Sequence, residues 1–378
     1  MDFQLTEEQK MVRATTRRFV EREVDAQAAS FQRETLLKLG KEGLLGGPIP
    51  SEYGGGGLDF ISYALFLEEI GRVSSSLRSA VSVQISLVAL TLLKWGTEKQ
   101  KKRFLPPLCC GKSIACFALT EPEAGSDAAS LTTRARETGK TWTLNGMKTF
   151  ITNGGPADLA LVIAQTVPGT GTKGLAAFLV ERKKSPFESR PLHGKLGLRA
   201  SDTSEIYFDE TLLPSENILG KVGEGFQIAM SALDQGRFSV AAGCIGILEG
   251  CLSASVKHAK ERRQFNHPIA HFQLVQELLS RMKVDSDAAR LLVYRAALLK
   301  DKGLPGTLEV SIAKLFSSEA AVRAANDAVQ IFGATGYLDE TPVARYYRDA
   351  KATTIYEGTT QIQKLIIGRY LTGIRAFG

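Results

Sequence analysis

The chain changes its side-chain period twice. Apolar residues recur at helical spacing from Thr6 to about Gly111, come in short β-rich runs from about Ser113 to Ile218, and return to helical spacing from Gly223 onward. Strands held between two runs of helices do not make a doubly wound α/β sheet, which needs the two in alternation. No Gly-x-Gly-x-x-Gly follows a strand either, so a dinucleotide would not sit on a Rossmann domain. The expected fold is α+β and mostly α. It has an N-terminal helical domain over 1–112, a central antiparallel β domain over 113–221 and a C-terminal helix bundle over 222–378.

Local signals mark the elements. Thr6 with Gln9, and Thr97 with Gln100, form capping boxes that open helices, the first running through Val24. Turn residues from Leu44 to Leu58 predict a loop, and Asp59 caps the next helix, Phe60 to Arg72. Ser79 to Trp95 is apolar on nearly all sides and predicts an interior helix. Pro106-Pro107 are expected to stop the helix that Thr97 opens. Ile114 to Leu119, Trp142 to Leu144, Leu159 to Val167, Gly174 to Val180 and Ser204 to Phe208 read as strands, with a turn at Asn145-Gly146. Phe226 to Arg263, Phe272 to Lys302, Leu308 to Phe332 and Thr359 to Thr372 read as the helices of the bundle.

Composition narrows the class. Hydrophobic residues at 44% and charged residues at 23% suit an ordinary globular protein. The acidic opening, Met1 to Glu8, has no apolar core of a secretory signal, and no apolar run reads as a membrane span. A cytoplasmic location is expected, or an organelle matrix after loss of a transit peptide. Five cysteines, an odd number, and four histidines show no metal-ligand spacing and fit a reducing compartment. The net charge of +7 includes Lys101-Lys102-Arg103, Arg182-Lys183-Lys184 and Arg262-Arg263. These are either a solvated surface or an attraction for phosphates or an acidic carrier.

One stretch carries more than structure. Phe117 to Asp127 leaves a strand, breaks at Glu121-Pro122, and turns through Gly125-Ser126-Asp127, whose amides and hydroxyl can hold an anion. Alone it reads as a surface turn. It is followed in order by Lys148-Thr149-Phe150-Ile151-Thr152-Asn153-Gly154, then Asp234-Gln235-Gly236-Arg237, then Arg262 with Phe265 and Gln273. Next come Gln330-Ile331-Phe332-Gly333-Ala334-Thr335-Gly336-Tyr337 and Ile355-Tyr356-Glu357-Gly358-Thr359-Thr360-Gln361. Together the six segments, within a likeness that runs from Met1 to Gly378, resemble the acyl-CoA dehydrogenase family of flavoproteins.

The resemblance implies a helix–sheet–helix fold, FAD as cofactor, an acyl-CoA substrate, electron-transfer flavoprotein as acceptor, and a homotetramer or dimer. Removing hydrogens from Cα and Cβ of an acyl thioester needs a base, a hydride acceptor and donors to the thioester oxygen. The resemblance makes Glu357 the base, with Gly358 giving room for substrate. Some relatives carry the base just before the arginine of the Asp-x-x-Arg segment; here that place is Gly236. For the flavin ring it points to Phe117, Leu119, Thr120, Phe150 and Thr152, and for phosphate or substrate to Gly125 and Ser126. Arg262, Phe265 and Gln273 resemble the segment that reaches the FAD of a neighbouring subunit, with Asn266 where Gly is usual. Gln330, Gly333, Thr359 and Gln361 are implied at the ADP part of FAD. Asp234 and Arg237 match the CoA site, although Arg237 equally suits pairing with an acid inside the bundle.

Arg78 bears on the substrate. Leu77 to Gln84 looks like the stretch of glutaryl-CoA dehydrogenases whose arginine grips the distal carboxylate, but the acidic partner seven residues earlier is Gly71 here. A surface arginine at a helix start is the plainer reading. Two further functions stay open: dehydrogenation or oxidation of an acyl or aminoacyl group on a carrier protein, and a nucleic-acid-binding relative. Glu357 and the lack of an added basic or aromatic domain argue against the second.

Overall fold

A computed structural model describes residues 4–24, 28, 30–31 and 33–376. The chain opens with α1 (Glu7–Glu23), where the Thr6–Gln9 capping box forms as read. Then come α2 (Arg33–Lys41) and α3 (Phe60–Val73), the latter capped by Asp59, whose carboxylate accepts from Ser62 N at 2.6 Å. The interior helix begins earlier than expected, at Ser75, because Ser74 caps it by accepting from Leu77 N at 3.2 Å. It runs as α4 (Ser75–Val81), a π-helical stretch (Ser82–Ala89) and α5 (Leu90–Trp95). In α6 (Glu98–Cys109) the sequence reading needs correction. Pro106 and Pro107 lie inside the helix, which ends at Cys109. Near a C-terminus two missing amides remove too few bonds to stop it.

The middle of the chain forms an eight-stranded sheet. Its strands are β1 (Ala115–Ala118), β2 (Arg134–Thr138), β3 (Thr141–Thr152), β4 (Leu159–Gln165), β5 (Leu175–Glu181), β6 (Glu188–Pro191), β7 (Thr203–Pro214) and β8 (Ile218–Leu219). The order is β6-β7-β3-β2-β4-β5-β8, with β1 beside β4. The sheet is mixed rather than purely antiparallel: β1 and β2 both pair parallel to β4. Neither is joined to β4 by a hairpin, so nothing forces the antiparallel sense on them. Asn145-Gly146 is also corrected. It is a bulge inside β3, where pairing with β7 shifts between Leu144 and Gly146, and the turn falls at Gly139-Lys140 instead. Asn145 braces the bulge, its amide bonding the Glu210 carboxylate at 2.7 Å and accepting from Glu210 N at 2.8 Å.

The bundle comprises α7 (Gly225–Glu261), α8 (Gln273–Asp301), α9 (Thr307–Phe332), α10 (Pro342–Thr353) and α11 (Thr360–Thr372). The short α10 has no counterpart among the helices expected from the sequence. The N-terminal helices and the bundle share one core. Phe238 of α7 packs between Phe60 and Tyr63 of α3, with ring centroids 5.6 and 6.5 Å away. The sheet has its own smaller core around Trp142, Phe178, Phe187 and Phe208. Contrary to the sequence reading, Ser75–Trp95 and α7 are long and apolar enough to cross a bilayer. However, 89% and 72% of their apolar windows are buried in the fold, as expected of core helices.

Candidate active site

Where the sheet meets the helices lies a cavity of about 440 Å³. One wall is the end of β1 and the residues just past it, Phe117, Leu119 and Thr120, with Phe150, Ile151 and Thr152 from β3. Ile355, Tyr356 and Glu357, between α10 and α11, form another side. Val83 and Leu87 of the π-helical stretch and Leu233 of α7 supply apolar surface, and Lys195 to Leu198 close over from the sheet. That last loop is fixed to the bundle, since Leu198 N donates to Asp349 of α10 at 2.6 Å.

The β1–β3 wall is tied together by a buried ion pair. Lys148, fully enclosed, donates to the Leu119 carbonyl at 2.9 Å and to Glu121 at 2.8 Å. Glu121 also accepts from Thr133 N and the Thr132 hydroxyl. Burial alone would raise its pKa, but Lys148 and these donors pull it down to about 2. Thr149 N donates to Thr120 O at 2.9 Å. Asn153, fully buried, gives its side-chain amide to Ala80 O and Ala115 O, both at 3.1 Å, joining β3 to α4 and β1. Between these anchors Phe150 is held at φ 55°, unusual for a bulky residue, with its ring 70% exposed. An aromatic face locked open on a cavity wall suits a flat ring laid against it.

Glu357 is built differently. Its φ is 54° and that of Gly358 is 90°, so the turn is left-handed at both residues. Three donors from three helices hold the turn by its carbonyls. Arg237 Nε of α7 reaches Glu357 O at 3.2 Å, Lys314 Nζ of α9 reaches Gly358 O at 2.7 Å, and Gln363 Nε2 of α11 reaches both, at 3.3 and 3.0 Å. One carboxylate oxygen is left alone: Glu357 Oε2 is closed off from solvent and has no hydrogen-bond partner among the described residues. Burial pushes its pKa up to about 7, against the pull of Arg78, Lys314 and Arg237. An unpaired carboxyl group with that proton affinity can act as a general base near neutral pH.

The other residues singled out in the sequence fall into three places. Arg78 is buried, not a surface residue. It donates to the Tyr356 hydroxyl, its Nη1 has no partner among the described residues, and its side chain crosses α7 against Gly243. It stands behind Tyr356 rather than on the cavity wall. Asp234 and Arg237 pair with each other at 2.8 Å, and Asp234 also accepts from Thr307. Gly125 and Ser126 lie on an exposed loop outside the cavity.

Arg262, Phe265, Gln273, Gln330, Gly333 and Gln361 are exposed on the bundle, away from the cavity, and Thr359 is half-buried as N-cap of α11. His258 stacks on Phe332 with centroids 4.1 Å apart, which brings the Arg262 and Gln330 segments side by side. Asn266 takes φ 64°, which asparagine tolerates, whereas Gly333 at φ 63°, ψ −142° needs glycine. Sequence reasoning missed Lys314 and Gln363. Lys314 could have been noticed as a lone cation inside Ile312-Ala313-Lys314-Leu315-Phe316.

Comparison with known proteins fits this geometry. Family profiles described as the acyl-CoA dehydrogenase N-terminal, middle and C-terminal domains match residues 6–112, 116–211 and 223–372. An acyl-CoA dehydrogenase of Bacillus subtilis is 46% identical over 376 residues, covering 98% of this chain and 99% of its own. The structure of butyryl-CoA dehydrogenase from Megasphaera elsdenii superposes with a TM-score of 0.96 at 40% identity, over 98% of this chain and all of that one. A glutaryl-coenzyme A dehydrogenase in complex with glutaryl-CoA gives 0.95 at 39% identity, over 99% and 98%.

Proposed function

The chain belongs to the acyl-CoA dehydrogenase family, an FAD-dependent family, and on that premise we propose that it converts an acyl-CoA to the trans-2-enoyl-CoA with Glu357 as base. The observation that carries the reading is the Glu357 carboxyl group, unpartnered and raised in proton affinity, facing the Phe117–Thr120 and Phe150–Thr152 wall across one cavity. Phe150, Thr120 and Thr152 would hold the isoalloxazine, and the open Phe150 ring fits that task. When bound, FAD supplies the two-electron acceptor for the hydride leaving Cβ.

The chain's own residues do the rest. Glu357 takes the α proton from a thioester held between it and the sheet wall. Its own amide, which donates to no carbonyl among the described residues, is free to polarise the thioester oxygen. Val83, Leu87 and Leu233 exclude water around the acyl chain. The ADP half of FAD would meet Thr359 and Gln361 of one copy and Arg262, Phe265, Gln273, Gln330 and Gly333 of another. This reading supports a homo-oligomer, because those groups, apart from the half-buried Thr359, are exposed in the single chain. Free acyl-CoA is favoured over a carrier-bound substrate by the relatives named above, and electron-transfer flavoprotein is the proposed acceptor.

The deciding experiment is anaerobic reduction of the FAD-loaded enzyme by a panel of acyl-CoAs. Substrate should bleach the flavin in the parent and leave it yellow in Glu357→Gln. Full bleaching of that variant removes Glu357 as the base. A purified protein that is colourless and refuses FAD removes the whole reading.

A further inference from the structure

Lys314 is a fully buried lysine that pairs with no carboxylate among the described residues. It rises from α9 in a stretch of small and apolar neighbours, and its one hydrogen bond is to the carbonyl of Gly358, beside the base. A buried ammonium is costly unless it is compensated, and one carbonyl is thin compensation. Its pKa is lowered to about 8, with burial the main cause.

Holding a carbonyl does not require a charge. Gln363 already donates a neutral amide to both Glu357 O and Gly358 O. What the lysine adds to this clamp is a positive charge under a carboxylate that has no direct partner. The other groups facing Glu357 are accounted for. Arg78 of α4 is engaged with the Tyr356 hydroxyl, and Arg237 of α7 is paired with Asp234. Tyr356 and Tyr63 are phenols whose pKa values burial raises, so they stay neutral. Cys244, close to Lys314, is a buried thiol, also raised and neutral. Glu319 accepts from the Thr360 hydroxyl at 2.7 Å. Of the three cations around the base, Lys314 alone has no hydroxyl or carboxylate partner among the described residues.

We propose that Lys314 is a positioning residue for Glu357: it fixes the Gly358 carbonyl, and with it the left-handed turn that aims the carboxylate, while its charge favours the ionised base. The inference rests on Glu357 being the base. It predicts a split between geometry and charge. A neutral donor at 314 keeps the turn but not the charge, and an apolar side chain keeps neither.

The test uses the FAD-loaded enzyme with butyryl-CoA and follows the rate of anaerobic flavin reduction across pH in Lys314→Met, Lys314→Gln and Lys314→Arg. Removing a cation near a carboxylate should move the acid limb upward by about one pH unit in both the Met and Gln variants. Lys314→Met should also lose about tenfold or more in limiting rate, Lys314→Gln should recover part of that loss, and Lys314→Arg should return the limb toward the parent. The Glu357 carboxyl titration, read as the infrared difference from Glu357→Gln across pH, should move with the limb. If Lys314→Met does not fold, Gln against Arg still decides. An unmoved limb in Lys314→Gln, or equal loss in all three variants, overturns the proposal. Glu357→Gln separates the two failures: full reduction by that variant sinks the base assignment. A dead Glu357→Gln beside an unmoved limb sinks only the role of Lys314.

Discussion

Gly236 and Glu357 meet with no space for another atom: a Cβ on Gly236 would stand 1.7 Å from Glu357 Oε2. The carboxylate is positioned against bare backbone of α7. Gly236→Ala should therefore push Glu357 off its line and lower kcat about a hundredfold, the loss that a displacement near 1 Å gives. Steady-state kinetics beside FAD content checks this. A variant that keeps parental kcat would show that the carboxylate has slack.

The proton affinity of Glu357 sets the pH dependence. The base works deprotonated, so kcat/KM should rise with pH through about 7 and level off above it. Glu357→Gln should lose about 10² to 10⁴ in rate. A limb near the ordinary carboxylate range of about 4.3 would contradict the desolvated setting.

The same carboxylate should cost stability when charged. Its folded-state pKa lies above the unfolded value, so its stabilising contribution is present below the unfolded pKa and is lost as pH rises through about 7. Glu357→Gln should accordingly melt higher than the parent at pH 8, and the gap should narrow toward pH 5. Thermal melts at the two pH values decide it, and a gap that grows toward acid contradicts the burial argument.

Leu87 lines the cavity beside the base, its Cδ2 only 2.7 Å from where a Gly236 Cβ would be. Leu87→Ala should raise kcat/KM for hexanoyl-CoA relative to butyryl-CoA by about tenfold or more, the range that a methylene or two in a pocket is worth. An unchanged ratio would place the chain-length limit elsewhere.

Arg78 offers a sharper choice. Its Nη1 is buried without a partner among the described residues, a donor that a substrate carboxylate could satisfy if Tyr356, which stands between Arg78 and the cavity, moved aside. If the acyl group carries one, the preference for glutaryl-CoA over butyryl-CoA should fall about tenfold or more in Arg78→Ala. An unchanged ratio assigns Arg78 to holding Tyr356 alone.

The starts of α1, α3 and α6 were legible in the sequence because Thr6, Asp59 and Thr97 state them locally, and the long uncapped helices of the bundle through their apolar period. Asn145-Gly146 misled because the dipeptide suits a bulge as well as a hairpin, and only the pairing with β7 decides between them. The parallel partners of β4 depend on contacts more than forty residues apart in β1. In the cavity, Glu357 and the Phe117 and Phe150 segments were found through motifs. Lys314 was not, because its meaning lies in a carbonyl on another helix's flank. The fate of Arg78 was equally hidden, since Gly243, which lets it pass, is far along the chain.

The π-helical stretch from Ser82 to Ala89 holds more residues per turn than an α-helix would between the same ends. Deleting a single residue there could restore ordinary winding without moving α4 or α5. With both flanking helices held, the rewinding falls on the side chains between them, and Val83 and Leu87, which line the cavity, are among those whose aim changes. The acyl pocket can thus be re-cut by changing the length of the chain rather than its chemistry, a route open to drift and to engineering alike.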